Sequence, residues 1–441
     1  MKPVKKPQNQ TSLFFSFESS LNHKHPLFIL ANQINWSVFE HAFEDLYCKN
    51  NGRPAKPIRL MVGLLILKHL RNISDESVVE QWSENNYYQY FCGETSFVCS
   101  VPCEPSELVH FRKRIGQEGI ELILQESIRV NGGDKDDDQV SIDTTVQEKN
   151  ITFPTDAKLH KKIINKCRQI ADKEQLQVRQ TYTRTLKTLS RDQRFRNHPK
   201  NKAKARKADR KIKTIAGRLV RELERNLPPN SMYQTDLELF KRVLAQKRTD
   251  KDKVYSLHEP DTCCISKGKE HKKYEFGNKA SIVKTTTGVI VGAMGFRNPY
   301  DGHTLIPVLQ QVKKILGKLP KTATVDRGYR GVSKIEETKI FVPKAPAKSQ
   351  SRYMTNKLRK AHRKRAAIEP IIGHVKHGHR MNRNFYKGIV GDNINIMLAA
   401  AGFNFKRMMN KWKSSLWLYL QKIYQSYFVT QQLIFNPKNR Y

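Results

Sequence analysis

Between residues 26 and 130 the apolar positions recur every three or four residues, the spacing of helices with one buried face. Pro57 opens the apolar stretch Ile58 to Leu70 and suits a first helical position. Ser74-Asp75-Glu76 has the composition of a fresh helix start, followed by Val78, Val79 and Trp82. Pro105-Ser106 starts another helix, with Leu108, Phe111 and Ile115 on one side and Arg112, Lys113 and Arg114 around the rest. Asn131 to Asp138 is a polar linker. It lacks the downstream bidentate acid of a calcium loop and reads as a domain boundary.

The pattern then changes. Val140-Ser141-Ile142-Asp143 reads as a strand closed by an aspartate, and Phe153-Pro154-Thr155-Asp156 as a turn and helix cap. Helical spacing returns at Leu159, Ile163, Cys167 and Ile170, and again at Ile212, Ile215 and Leu219. Leu227-Pro228-Pro229-Asn230 breaks it, and Leu237, Phe240 and Leu244 resume it. An antiparallel helical pair would suit this insert. Lys272 to Phe296 predicts two strands joined near Thr287-Gly288. Asn298 to Gly302 is a turn in which Asp301 is assigned to capping, and His303 to Leu316 a helix. Strands are expected at Lys321 to Asp326 and at Ile340-Phe341-Val342, then a helix around Glu369 and a buried one from Asn393 to Met409.

At 441 residues there is chain for two or three domains. Lysine and arginine total 80 against 41 acids, a formal net charge of +39. Such an excess points to a polyanionic partner, most simply nucleic acid. The insert concentrates it: Ala157 to Arg225 holds 23 basic and 6 acidic residues. The seven cysteines are scattered and odd in number, which predicts reduced thiols. Cys99 and Cys103 with His110 lack a second ligand pair at zinc-finger spacing. No apolar run approaches the roughly 20 residues of a membrane helix, and Leu13 to Phe17 is too short for a secretory core. A cytoplasmic, nucleoid-associated protein with no membrane contact is expected.

The candidate chemistry centres on three acids. In His362-Arg363-Lys364-Arg365-Ala366-Ala367-Ile368-Glu369-Pro370-Ile371-Ile372-Gly373-His374-Val375-Lys376, a helix would place Arg365, Glu369 and Lys376 on one face. Pro370 would kink that helix or, if the helix starts at Glu369, take Arg365 off the face. Asp143 and Asp326 (in Ala323-Thr324-Val325-Asp326) each end an apolar run. Two strand-end aspartates and a helix glutamate read as a two-metal phosphoryl-transfer centre, with Arg365 and Lys376 on DNA phosphates. Each residue alone has a plainer reading: a turn-capping aspartate, a surface Glu–Arg pair or solvated helix charge. Arg327, Tyr329 and Arg330 could grip DNA beside the metals, or belong to a simple Gly328–Gly331 turn. His374, His377 and His379 have basic neighbours and suit phosphate contact or no role.

This constellation resembles the DDE transposases of bacterial insertion sequences that carry a Tyr-x2-Arg-x3-Glu-x6-Lys motif. Arg365, Glu369 and Lys376 match it, with His362 in the tyrosine position. Ile368 to His374, Arg383-Asn384, Gly388 to Asn393, Asp326 to Gly331 and Ile142 to Val146 are also similar to that group. The resemblance implies an α/β, RNase H-like catalytic core in which Asp143, Asp326 and Glu369 hold two Mg²⁺ or Mn²⁺ ions. His362, Arg365, Lys376, Arg327 and Arg330 would then contact DNA. It also implies double-stranded DNA partners, both terminal inverted repeats and target DNA, and a homodimeric synaptic complex.

The expected layout is a helical domain over 1–135, a core over 136–156 and 250–410, a basic insert over 157–249 and an aromatic, basic tail over 411–441. The first is a helix-turn-helix reader using Arg112, Lys113 and Arg114, or else a bundle packed on the core or on a second subunit. The tail, with Trp412, Trp417, Tyr419, Tyr424, Tyr427 and Phe428, suits packing or dimerisation. Two alternatives to the transposase stay open: an RNase H-fold nuclease that never joins ends, and a non-catalytic nucleic-acid binder derived from one.

Overall fold

A computed structural model describes residues 16–48, 53–132, 138–247, 249–266, 270, 273–343 and 351–435, the last of these from 414 as backbone alone. Contacts divide the chain into two units, residues 1–147 with 279–441, and residues 148–278. The second is wider than the insert expected at 157–249.

The first unit opens with helices α1 (Phe17–Ser20), α2 (Pro26–Gln33), α3 (Trp36–Glu44), α4 (Ile58–Arg71), α5 (Asp75–Glu84), α6 (Asn86–Phe91) and α7 (Pro105–Val130). Residues from Leu60 to Leu70 in α4 are all buried, so this helix is enclosed on every side and lies in the core. Ser74 caps α5 by accepting the Ser77 amide at 3.1 Å. Pro105 stands in the first turn of α7, behind a capping box formed by Glu104 and Glu107.

Strand β1 (Gln139–Lys149) follows, and the second unit begins at its end. That unit holds α8 (Asp156–Lys173), α9 (Thr183–Asp192), α10 (Pro199–Asn226), α11 (Gln234–Ala245) and β2 (Cys263–Ser266). Leu159, Ile163, Cys167, Ile212, Ile215, Leu219, Leu237 and Phe240 form a core of their own. Four helices stand where a pair was expected. The one that periodicity missed is α9, which is short and buries only Leu189. Thr155 caps α8 through the Lys158 amide at 3.3 Å, and the buried Lys149 and Glu259 pair at 3.1 Å.

The first unit resumes within β3 (Tyr274–Thr285), followed by β4 (Ile290–Phe296), α12 (Leu305–Leu316), β5 (Thr322–Thr324), β6 (Lys334–Ile335) and β7 (Thr338–Phe341). Then come α13 (Arg352–Ala366), α14 (Ile368–Gly378), β8 (Arg383–Asn384) and α15 (Gly388–Phe435). The sheet runs β3-β1-β5-β7-β6, with β4 antiparallel to β3 and β8 also paired to β1. Its centre is parallel: β1 lies beside β5, and β5 beside β7. The alanine-rich start of α15 is buried and packs on α4, α7 and β4. One hydrophobic core joins the N-terminal helices to this sheet. In the tail, Trp412 is partly buried against that core. Trp417, Tyr419, Tyr424, Tyr427 and Phe428 lie outside the described side chains.

Arg112 corrects an expectation. It is buried, and its two terminal nitrogens donate to the two Asp75 oxygens at 2.8 Å each. Lys68 reaches the same carboxylate at 2.8 Å, and both cations lie over the Tyr386 ring. Burial alone would raise the Asp75 carboxyl, but the Arg112 hydrogen bonds and the Lys68 charge outweigh it and hold it below the usual range. Arg112 therefore ties α5 to α7 instead of facing DNA, whereas Lys113 and Arg114 are exposed.

His69 of α4 and His379, just past α14, form a second buried link. Each Nδ1 bonds the other's backbone carbonyl, at 3.2 and 2.9 Å. Gly402 lets α15 pass close by, since a Cβ there would stand 3.2 Å from His379 Nδ1. Burial pushes both imidazoles down, His379 to about 4.

Two outcomes follow from these links. Asp75→Ala leaves Arg112 and Lys68 buried without their anion, and should cost about 3–5 kcal/mol in chemical denaturation. The depressed histidines contribute stability that is fully present above their unfolded pKa of roughly 6.5 and is lost as pH falls towards the folded value. The melting temperature should therefore fall between about pH 6.5 and pH 4, and His379→Gln should flatten that slope.

Candidate active site

Two neighbouring parallel strands carry the aspartates. Ser141 of β1 is in register with Thr324 of β5, so Asp143 and Asp326, each two residues further on, come level at the same edge of the sheet. The carboxyl ends of parallel strands are where α/β sheets commonly place their ligands. Asp143 does not end its strand as expected. It lies within β1, which runs on to Lys149, and its Oδ1 accepts the Thr144 amide at 2.8 Å. Asp326 lies just past β5, where its Oδ1 accepts the Gly328 amide at 2.7 Å and starts a 3-10 turn, Arg327–Tyr329. Capping and site geometry are here two properties of one side chain.

The glutamate arrives on a broken helix. α13 and α14 meet at Ala367, and Pro370 falls in the first turn of α14, where its missing N–H costs little. The break does not take Arg365 off the face. Its Nη1 meets Glu369 Oε1 at 2.8 Å, and its Nη2 stands 3.6 Å from Oδ2 of both Asp143 and Asp326. One guanidinium thus lies within ion-pair reach of all three carboxylates. Arg365 Nε is buried with no hydrogen-bond partner.

Burial pushes the Asp143 carboxyl up to about 6. Arg365 opposes that shift, while Asp326 and Glu369 add to it. Among the described residues, no three acidic, histidine or cysteine side chains stand close enough together to hold a metal ion. In donor chemistry alone, three carboxylates are hard oxygen ligands of the kind magnesium prefers.

A fourth carboxylate belongs to this neighbourhood. Asp301 was assigned to capping, and its backbone carbonyl does accept the Thr304 hydroxyl at 2.7 Å. Its side chain instead takes Lys279 Nζ at 2.9 Å and the Thr144 hydroxyl at 3.1 Å. A Cβ on Gly328 would stand 2.9 Å from Asp326 Oδ1 and 3.0 Å from Asp301 Oδ2, so that glycine lets both acids close on the turn. The Asn298-to-Gly302 turn gave a sequence reader no sign of this, because Lys279 and Thr144 reach Asp301 from other strands.

The remaining expected residues are dispersed. Arg327 and Arg330 are exposed on the turn after Asp326. Tyr329 is fully buried and cannot grip DNA, which corrects its surface reading. Burial, with Asp143, Asp301 and Asp326 nearby, pushes its phenol well above the ordinary value. His362 and Lys376 are half-buried, His374 and His377 are exposed, and His379 belongs to the buried pair.

Comparison with known proteins gives this geometry a family. A family model described as a transposase domain of the DUF772 type matches residues 15–114. One described as a transposase DDE domain matches residues 322–409, which include Asp326, Arg365 and Glu369. An uncharacterized protein, ORF8 in the nfe locus of Rhizobium meliloti, is 39% identical over 193 residues, spanning 42% of this chain and 93% of that protein. No solved structure matches. No helix among the described residues is long and apolar enough to cross a membrane. With a transposase domain on its N-terminal helices and a DDE domain over the strands and helices that carry Asp326 and Glu369, the chain belongs to the insertion-sequence transposases.

Proposed function

We propose that this transposase cuts DNA at the ends of its element and joins the exposed 3′ hydroxyl to target DNA, using Asp143, Asp326 and Glu369 in an RNase H-like core. The observation that carries the reading is the single guanidinium within reach of all three carboxylates. Acids on two sheet strands and a separate helix have no packing reason to converge; a shared cation gives them one. The three carboxylates would hold two divalent ions, which supply Lewis acidity to the attacking and leaving oxygens of an in-line displacement.

The chain's own residues do the rest. Burial raises the Asp143 carboxyl to about 6, and positive charge beside it favours its ionised form. Arg365 would offer a DNA phosphate a fork able to make two parallel hydrogen bonds. Lys376 and His362 would flank the same strand, with Arg327 and Arg330 on the turn beside Asp326. Asp301 keeps Lys279 and Thr144 in place behind the acids. Cleavage and joining are both in-line phosphoryl transfers, so one trio serves both, and pairing two element ends calls for a homodimer.

Asp143→Asn, Asp326→Asn and Glu369→Gln should each lower nicking and strand transfer of labelled element ends by about 100-fold or more, a loss of several kcal/mol of transition-state stabilisation. Affinity for the same DNA should persist, because it comes mainly from cations on phosphates. Near-wild-type nicking by any one variant removes that residue from the trio. Nicking without joining by the unaltered protein would leave a nuclease. Arg365→Ala behaves differently. Three carboxylates left without their cation repel, so the variant should melt lower in chelator and regain that loss when Mg²⁺ is added. Wild-type melting should respond less to Mg²⁺.

A further inference from the structure

In the second unit, α10 divides its surface in two. Ala205, Ala208, Ile212, Ile215, Ala216, Leu219, Val220 and Leu223 are buried. Cations occupy the opposite half. Lys207, Lys211, Arg218 and Arg225 recur at steps of four and seven and share a face, with Lys202, Arg206, Arg210 and Lys213 along the adjoining one. All eight are exposed.

The three acids of α10 are turned to packing neighbours. Asp209 accepts Gln193 and Arg196 at 2.5 Å each, Glu222 accepts the Arg179 amide at 2.7 Å, and Glu224 pairs with Lys241. The outward face is left strongly positive. With 28 residues, the helix is roughly 42 Å long. That exceeds the roughly 34–36 Å of one turn of duplex DNA.

The turn into α10 carries an unusual side chain. Phe195 is 80% exposed and has a φ of 53°. Left-handed backbone is costly for a bulky residue, and an aromatic in water recovers nothing by burial. The surroundings hold it there: Gln193 and Arg196, on either side, are both bonded to Asp209, and the Phe195 carbonyl accepts the His198 amide at 2.9 Å. Arg194, Arg196 and His198 around it are exposed. The turn is braced, basic and tipped with an aromatic ring.

We infer that the α9–α10 hairpin is a DNA-binding surface of its own, in which the cations of α10 track the phosphates of a duplex and Phe195 reaches the bases. The inference rests on the transposase reading for the identity of the polyanion. An apolar wedge beside phosphate-binding cations is how proteins that unstack a base step are built, and an aromatic face also stacks on bases without regard to sequence. An acidic protein partner would use the cations but has no need of a ring held out in water.

The test uses the full chain and a labelled duplex longer than the helix and lacking the element's terminal sequence, titrated at a series of salt concentrations. Lys207→Glu, Lys211→Glu and Arg218→Glu together should weaken binding at least tenfold and lower the salt slope by about 3. Phe195→Ala should weaken binding roughly tenfold with the slope unchanged. Phe195→Gly relieves the left-handed backbone, so it should melt no lower than the wild type and still lose the same affinity. An unchanged affinity and slope in the triple variant would overturn the surface. A Phe195→Gly protein that melts lower yet binds normally would overturn the role of the ring. If the unaltered protein binds no duplex at all, it is the transposase reading that falls. If it binds and the variants bind equally, only the hairpin is wrong.

Discussion

Three ionised carboxylates drawn towards one point repel unless a cation stands among them, and that constraint shapes the centre of the first unit. Asp143 and Asp326 come level because β1 and β5 are parallel and in register. Glu369 comes from a helix whose break at Ala367 leaves it beside Arg365. The mutual repulsion of these groups shows in the Asp143 carboxyl, which burial and its two acidic neighbours hold near 6. Arg365 supplies the opposing charge. It is an internal cation within ion-pair distance of all three acids.

Charge of the same sign does different work elsewhere. Arg112 and Lys68 are buried on Asp75 and join α4, α5 and α7. Lys279 on Asp301 braces the turn behind the acids. The cations of α10 lie outward, beyond acids already committed to packing. A net charge of +39 is therefore the sum of buried locks, a site cation and exposed faces. Only the exposed faces meet a polyanion at a distance.

Much of this was legible in the sequence, for a physical reason. Periodicity reports which side of an element is buried. Helices such as α4 and α8 and the hairpin of β3 and β4 were plain from their apolar spacing, and helix starts at Ser74, Pro105 and Thr155 from their capping chemistry. α9 escaped because a short helix that buries one leucine has almost no periodic signal. The spacing of Arg365 and Glu369 announced their contact, since residues four apart are neighbours on a helix, and the break at Ala367 between them leaves the pair intact.

What the sequence could not determine were contacts made across long separations. Helical spacing sets Arg112, unlike Lys113 and Arg114, beside Leu108 and Ile115, but it names no partner for it. Only the packing of α5 against α7 brings Asp75 to it and takes it out of reach of DNA. Tyr329 and Arg330 look alike as members of a turn, yet one is in the core and the other is exposed. Asp301 read as a cap because its partners, Thr144 and Lys279, are distant in sequence. The chain itself determined which residues could carry the chemistry, because side-chain type and short-range spacing are written in order along it. The tertiary structure decided which of them are used, because burial and the approach of opposite charges depend on strands and helices far apart in that order.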